Sequence, residues 1–349
     1  MRALIAMSGG VDSSVAALLM AEHERIGCTM RLFDKGNTDD SRTCCSLDDV
    51  EDARAVCFRL GIPFYVFNFT EDFERKIIGK FIDCYRRGIT PNPCIDCNRY
   101  MKFDKLLARA RELKCDWVVT GHYARIEQND GKYVLKKALD PSKDQSYVLY
   151  SLTQEQLAHI RFPLGGLSKS EVRRIAEENG FVNASKPDSQ DICFVPDGNY
   201  AGFIESRCGK MKSGDFITSD GTILGRHKGI SHYTIGQRKH LGISVGKPIY
   251  VVGIRAEDNT VVLGDEEELF DTTARVEDFN WISGEAPEGA VRCLAKTRYR
   301  QQEQPATAYP NPDGSVTVIF DTPVRAITPG QACVLYDGDI VLGGGVIVS

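Results

Sequence analysis

The stretch Leu4-Ile5-Ala6-Met7-Ser8-Gly9-Gly10-Val11-Asp12-Ser13-Ser14 decides the fold. Four apolar residues read as a short buried strand that breaks at Ser8-Gly9-Gly10, and Val15, Leu18 and Leu19 then recur at helical spacing. A strand, a glycine turn and a helix in that order leave a row of backbone N–H groups at a helix N-terminus. Such donors, at the positive end of the helix dipole, suit an anionic oxygen. Two glycines let the backbone approach a phosphate, and Ser8, Ser13 and Ser14 offer hydroxyl donors.

Outward from that turn, strand and helix alternate to about residue 120. A strand is expected over 28–33, then a polar loop from Lys35 to Cys45, then a helix with Val50, Ala53, Cys57 and Leu60 on one face, ended by Gly61. Phe64 to Phe69 reads as a strand, and Phe73, Ile77, Phe81 and Tyr85 mark a helix. Thr90-Pro91-Asn92-Pro93 breaks the pattern, so Cys94-Ile95-Asp96-Cys97 is expected in a loop stiffened by two prolines. Phe103, Leu106, Leu107, Ala110 and Leu113 resume a helix, and Trp117-Val118-Val119 leads as a strand into Thr120-Gly121-His122. This alternation predicts an α/β fold with a doubly wound parallel sheet, whose ligands lie at the carboxyl ends of the strands. Both the Ser8 loop and Gly121 fall at such ends.

Residues 123–138 suggest a hairpin about Asn129-Asp130-Gly131, and Ser168-x-x-Glu171 is a capping box opening a helix that closes at Gly180. From about 210 the chain turns to short β-branched runs between Gly, Asp and Asn turns, with Val316 to Phe320 the clearest strand. A small antiparallel barrel is expected at the C-terminal end. The expected division is 1–198, 199–268 and 269–349.

A length of 349 residues allows two or three cores. No apolar run approaches membrane-spanning length, and residues 1–7 are too short for a signal peptide, so no membrane partner and a cytoplasmic location are expected. Twelve cysteines in so long a chain imply reduced thiols rather than a disulfide scaffold. A net charge of −5 argues against unspecific nucleic-acid binding, although basic residues cluster at Arg226-His227-Lys228, Arg238-Lys239-His240 and Lys296 to Arg300.

Three segments could do chemistry. Cys94-x-x-Cys97 fits half a zinc site, a redox pair or part of an iron–sulfur site, but no second pair supplies the remaining zinc ligands. In Asp188-Ser-Gln-Asp191-Ile192-Cys193-Phe194 a single cysteine sits among polar residues, an odd setting for an inert core thiol. Lys143-Asp144-Gln145-Ser146 is a polar run after the hairpin, which alone would be a surface turn.

Ser-Gly-Gly-Val-Asp-Ser-Ser lacks the lysine of a P-loop and the spacing of a dinucleotide fingerprint, and it resembles the loop of the ATP pyrophosphatases. With Thr90-Pro-Asn-Pro93, Cys97-Asn98, Lys102-Phe103, Thr120-Gly-His-Tyr-Ala-Arg125, Lys143-Asp-Gln-Ser146, Asp191-Ile-Cys-Phe194 and Tyr233-Thr-Ile-Gly-Gln-Arg238, the chain resembles the tRNA-specific 2-thiouridylases over nearly its whole length. That resemblance implies an ATP pyrophosphatase domain, a small central domain and a C-terminal β-barrel. It implies ATP on Ala6, Met7, Ser8, Gly9, Gly10, Val11, Asp12 and Ser13, with its adenosine end near Leu32 and Gly121 and Mg2+ near Asp12.

The resemblance further implies a wobble uridine flipped from the tRNA anticodon loop. Its 2-carbonyl oxygen is adenylated, and sulfur then replaces AMP. Cys193 matches the cysteine that carries a persulfide, supplied by a cysteine desulfurase or relay protein. Cys97 matches the nucleophile that frees sulfide or resolves the intermediate, and a Cys97–Cys193 disulfide closes the cycle. Contacts to tRNA are implied at Asn92, Pro93, Cys94, Lys143, Asp144, Gln145, Arg298 and Tyr299. Many members carry Asp where this chain has Cys94. That leaves open a [4Fe-4S] cluster on Cys94, Cys97 and Cys193. The rivals are a pyrophosphatase-loop ligase acting on a small molecule, and a non-catalytic RNA-binding protein with a metal-stabilised C-x-x-C.

Overall fold

The computed structural model of the chain describes residues 1–33, 47–188 and 192–349. The expected loop from Lys35 to Cys45 lies outside these residues, as do Ser189, Gln190 and Asp191. Strand β1 (Arg2–Ala6) holds Ala3, Leu4 and Ile5 with no exposed surface, because helices cover both faces of its sheet. Helix α1 (Val11–Leu19) follows the glycine turn and lays Val15, Ala16 and Ala17 on that sheet. Strand β2 begins earlier than its apolar run suggested, over Glu24–Arg31. Its charged first residue pairs with β1 (Arg2 opposite Glu24, joined by an ion pair of 2.8 Å), and hydropathy alone hid it.

Helix α2 (Leu47–Arg59), strand β3 (Phe64–Asn68) and a helix over residues 70–86 (α3) follow as expected. The next helix, α4, spans residues 93–112. Here the expectation of a loop at Cys94–Cys97 is corrected. Asn92 caps the helix by accepting from the Cys94 N–H at 3.2 Å, and Pro93 occupies the first helical position, where a missing N–H costs nothing. The C-x-x-C is therefore a helical turn, and from Cys97 to Lys105 the helix widens to π geometry.

Strand β4 (Trp117–Val119) leads to a hairpin, β5 (Ala124–Asn129) and β6 (Lys132–Lys137), then helix α5 (Gln154–Ala158) and strand β7 (Ile160–Arg161). Five parallel strands run in the order β3-β2-β1-β4-β7. The order reverses between β1 and β4, so the binding crevice opens at their carboxyl ends. Helix α6 (Lys169–Glu178) has the Ser168/Glu171 capping box, and α7 (Tyr200–Cys208) leads into the central sheet.

That sheet joins β8 (Gly214–Ile217), β9 (Ile223–His227), β10 (Tyr250–Arg255) and β11 (Thr260–Gly264) in the order β10-β11-β8-β9. The tail is a closed antiparallel barrel. Its strands are β12 (Phe270–Trp281), β13 (Val291–Lys296), β14 (Gln304–Pro310), β15 (Val316–Arg325), β16 (Ala332–Asp337) and β17 (Ile340–Ile347). The pairing of β12 with β17 closes it. The β5–β6 hairpin extends this sheet through Lys136 opposite Ile340, and the Tyr147 hydroxyl donates to the Ala332 carbonyl at 2.8 Å. The barrel is thus fastened to the first unit, and its β13–β14 turn becomes one wall of the crevice.

Candidate functional site

The crevice is one cavity of about 1440 Å³. Its floor is the β1–α1 turn, through Ser8, Gly10, Val11 and Asp12. Gly9 takes φ +74, and a Cβ there would meet the Asp49 carbonyl oxygen at 2.4 Å, so only glycine fits. Ser13 and Ser14 are buried, and both hydroxyls donate to the Gly10 carbonyl, at 3.0 and 3.1 Å. These bonds brace the turn from behind. Gly121, at the end of β4, lies so close that a Cβ would stand 2.8 Å from the Asp12 carbonyl carbon and the Ser13 nitrogen. Leu32, just past β2, is buried in the cluster that holds Phe73, Ile77 and Phe81.

Asp12 is engaged on one oxygen. Its Oδ1 accepts from the Tyr123 hydroxyl at 2.7 Å and from Lys169 Nζ at 2.6 Å. Burial first, then the Asp12 charge, raise the Tyr123 phenol far above its ordinary range, so it stays a donor. Lys169 also reaches Asp188 Oδ1 at 2.8 Å, and Asp188 Oδ2 holds Lys143 Nζ at 2.9 Å. Burial opposes the Asp188 charge, but the hydrogen bonds from Lys169 and Lys143 outweigh it and hold the carboxyl below the usual range. Lys186, also on the cavity wall, pairs with Asp49 and Asp52 at 2.7 Å each.

The Lys143–Gln145 segment is shaped by its own side chains. Asp144 accepts from the Ala138 N–H at 2.9 Å and the Ser146 hydroxyl at 2.7 Å, and Gln145 accepts from the Tyr123 N–H at 3.0 Å. These bonds fix the turn so that Lys143 lines the cavity. Across it stand Lys296, Tyr299, Arg300 and Glu303 from the barrel. The Tyr299 hydroxyl donates to the Asp144 carbonyl at 3.2 Å, and Lys296 Nζ lies 5.9 Å from the Tyr147 and Tyr299 ring centres. Burial lowers the Lys296 pKa.

Cys193 lines the same cavity, beside Ile192 and Pro196. Cys97 is partly buried and packs, like Cys193, against the cluster of Phe73, Ile77, Phe81 and Phe194. Cys94 is exposed, and burial first, then the Asp144 charge, raise the Tyr299 phenol pKa. Among the described residues no three His, Cys, Asp or Glu side chains gather as a metal site would require, and the cluster reading of Cys94, Cys97 and Cys193 finds no support.

The expected contacts Asn92, Pro93 and Arg298 do not line the large cavity. Pro93 is buried, and Asn92 has its side-chain oxygen engaged in capping; Asn92 faces a second cavity of about 260 Å³ with Arg99 and Asp278. Arg298 donates to the Ile235 carbonyl at 2.9 Å and to the Thr328 hydroxyl, tying the segment between β9 and β10 to the barrel, and burial lowers its pKa. Tyr123 stood inside the Thr120 to Arg125 motif without a role of its own, and Lys169 and Lys186 lay in no motif; the nearest signal for Lys169 was the capping box that sets it at a helix start.

A family model described as tRNA methyl transferase HUP domain matches residues 1–197. A tRNA methyl transferase PRC-barrel domain matches 201–265, and an aminomethyltransferase beta-barrel domain matches 271–347. The chain is 52% identical to the tRNA-specific 2-thiouridylase MnmA of Acetivibrio thermocellus, over 99% of each chain. It is 50% identical to the protein of that name from Clostridioides difficile, over 99% of this chain and 98% of the other. Among solved structures, a 4-thiouridine synthetase–RNA complex with bound ATP aligns at 19% identity and a TM-score of 0.34 over 57% of this chain and 45% of that one, too distant to bear on the argument.

Proposed function

The chain belongs to the tRNA-specific 2-thiouridylase family, whose members are tRNA sulfurtransferases, and from that premise we propose how its cavity joins ATP cleavage to thiolation. ATP is the activating substrate and tRNA the acceptor. One observation carries the reading: a single cavity is lined by the Ser8–Asp12 turn and by Cys193. Activation and sulfur delivery then act on one base without its release.

In this reading the turn cradles the triphosphate, with Lys186 at hand, and the adenosine end lies toward Leu32 and Gly121. Asp12 Oδ2 has no protein donor among the described residues while the residue faces the cavity, which suits magnesium. When bound, the ion would offset phosphate charge. The uridine O2 attacks the α-phosphorus and pyrophosphate leaves, turning a poor leaving group into AMP. A persulfide on Cys193 adds its outer sulfur to C2, and AMP departs with O2. Cys97 then attacks Cys193 Sγ, the S–S bond breaks, 2-thiouridine is released, and the two cysteines are left as a disulfide for a reductant to open.

Tyr299 offers a ring on which a splayed base stacks, and Lys143, Lys296 and Arg300 offer charge to the RNA backbone. The persulfide comes from a cysteine desulfurase or relay protein in the cytoplasm. No helix among the described residues is long and apolar enough to cross a membrane. The methyl-transferase wording of the family models names another group transfer, one that calls for neither this turn nor a cavity cysteine. The test is a single-turnover assay with persulfide-loaded protein, ATP and tRNA. Thiolation should be lost in Asp12→Asn and Cys193→Ser; thiolation by either variant at the wild-type rate would refute the reading.

A further inference from the structure

The cavity holds a line of ion pairs whose inner members, Asp188 and Lys169, have no part in the chemistry above. Lys143 Nζ sits on Asp188 Oδ2 at 2.9 Å. Asp188 Oδ1 takes Lys169 Nζ at 2.8 Å and Arg173 at 3.3 Å. Lys169 Nζ bridges from there to Asp12 Oδ1 at 2.6 Å. The line therefore runs from a lysine on the RNA side of the cavity to the carboxylate in the ATP turn. Lys169 is only 12% exposed and lies over the Tyr123 ring, so it has two acceptors and little access to water. Asp188 thus faces three cations, Lys143, Lys169 and Arg173.

We propose that Asp188 is a positioning residue that couples RNA binding at Lys143 to nucleotide binding at Asp12 through Lys169. The inference rests on the ATP and tRNA reading above. An RNA phosphate that draws Lys143 away leaves Asp188 with less positive charge, and its carboxylate takes a larger share of Lys169. Lys169 then loosens from Asp12, and Asp12 Oδ1 becomes available to the magnesium nucleotide. The reverse sequence holds as well: a nucleotide that engages Asp12 releases Lys169 to Asp188 and frees Lys143 for RNA. Two binding events that each favour the same pairing of Lys169 reinforce one another, and linkage makes the factor equal in both directions. The enzyme thereby holds ATP most tightly when its acceptor is present.

The readout is the ratio of affinities, which a loss of packing alone would not move. The Kd of the full chain for α,β-methylene ATP with magnesium is measured with and without tRNA, and the Kd for tRNA with and without that analogue. In the wild type each ligand should tighten the other by a common factor on the order of ten. In Asp188→Asn, whose neutral amide cannot hold the cations, the factor should fall below about two, and Lys143→Met should remove it from the RNA end. If Asp188→Asn fails to fold, Lys169→Met decides, with the same loss expected. Retention of the full factor in the folded variants, or a wild-type factor of one, overturns the coupling. Failure of the wild type to bind the analogue or tRNA at all would instead refute the functional reading on which it rests.

Discussion

Gly121→Ala tests whether the end of β4 presses on the ATP turn. A Cβ at this position would stand 2.8 Å from the Asp12 carbonyl carbon, 2.8 Å from the Ser13 nitrogen and 3.0 Å from Asp12 Cβ. Two of these are backbone atoms at the start of α1, and no rotamer change can move them. Comfortable contact needs ~3.5 Å, so the first turn of α1 must withdraw by roughly 0.7 Å. Overpacking of this kind costs about 1–3 kcal/mol. A misplacement approaching 1 Å in a reacting geometry costs about 10²-fold in rate. The expected outcome is a folded protein, destabilised by that amount in urea titration, whose tRNA-dependent pyrophosphate release falls by roughly 10²-fold. Gly166→Ala is the control, since a Cβ there meets nothing within 4 Å. Pyrophosphate release at the wild-type rate in Gly121→Ala would refute the packing of β4 on the turn and the crevice built on it.

Arg298→Ala should cost about 1–3 kcal/mol by leaving the Ile235 carbonyl and Thr328 hydroxyl without their donor, as thermal denaturation would read. Its effect on the salt slope of tRNA binding should be nil. Lys296→Ala and Arg300→Ala should each lower that slope by about one unit. His122 is buried beside Lys102, and burial drives its pKa well below normal, so it stays neutral in the fold. The unfolded chain takes up that proton below about pH 6.5, so stability should fall by about 1.4 kcal/mol per pH unit of further acidification. In His122→Gln the urea midpoint should lose that part of its pH dependence. Cys97→Ser and Cys193→Ser should abolish 2-thiouridine in tRNA hydrolysates, while Cys94→Ser keeps a good fraction.

The sheet was legible because β1 is a continuous apolar run and each helix has one apolar face, both local properties. The Ser8 loop, Lys143, Cys193 and Tyr299 were legible as motifs and meet in one cavity. Long-range events were not. Asn92 and Pro93 read as loop residues, yet the same pair starts a helix once the Asn92 side chain finds the Cys94 N–H. Arg298 and Tyr299 are neighbours in sequence, but past a strand end they go to different sides, one to the segment between β9 and β10 and the other to the cavity. Lys169 stood out only as the residue after a cap, because its two acceptors lie 157 residues before it, in one case, and on the Cys193 segment in the other. The β5–β6 hairpin joins the barrel through one ladder pair and through Arg125 and Lys137 on Asp339 and Gly338, partners some 200 residues on that no local pattern encodes.

The central claim is that one cavity adenylates the uridine and delivers sulfur from Cys193. The most direct measurement is an anaerobic single turnover with iron-free, persulfide-loaded protein, tRNA and α-labelled ATP, in which AMP, pyrophosphate and 2-thiouridine are quantified together. The account predicts one AMP and one pyrophosphate for each 2-thiouridine, with none formed when tRNA is withheld. Thiolation without AMP, or thiolation that appears only when iron is restored, would contradict it.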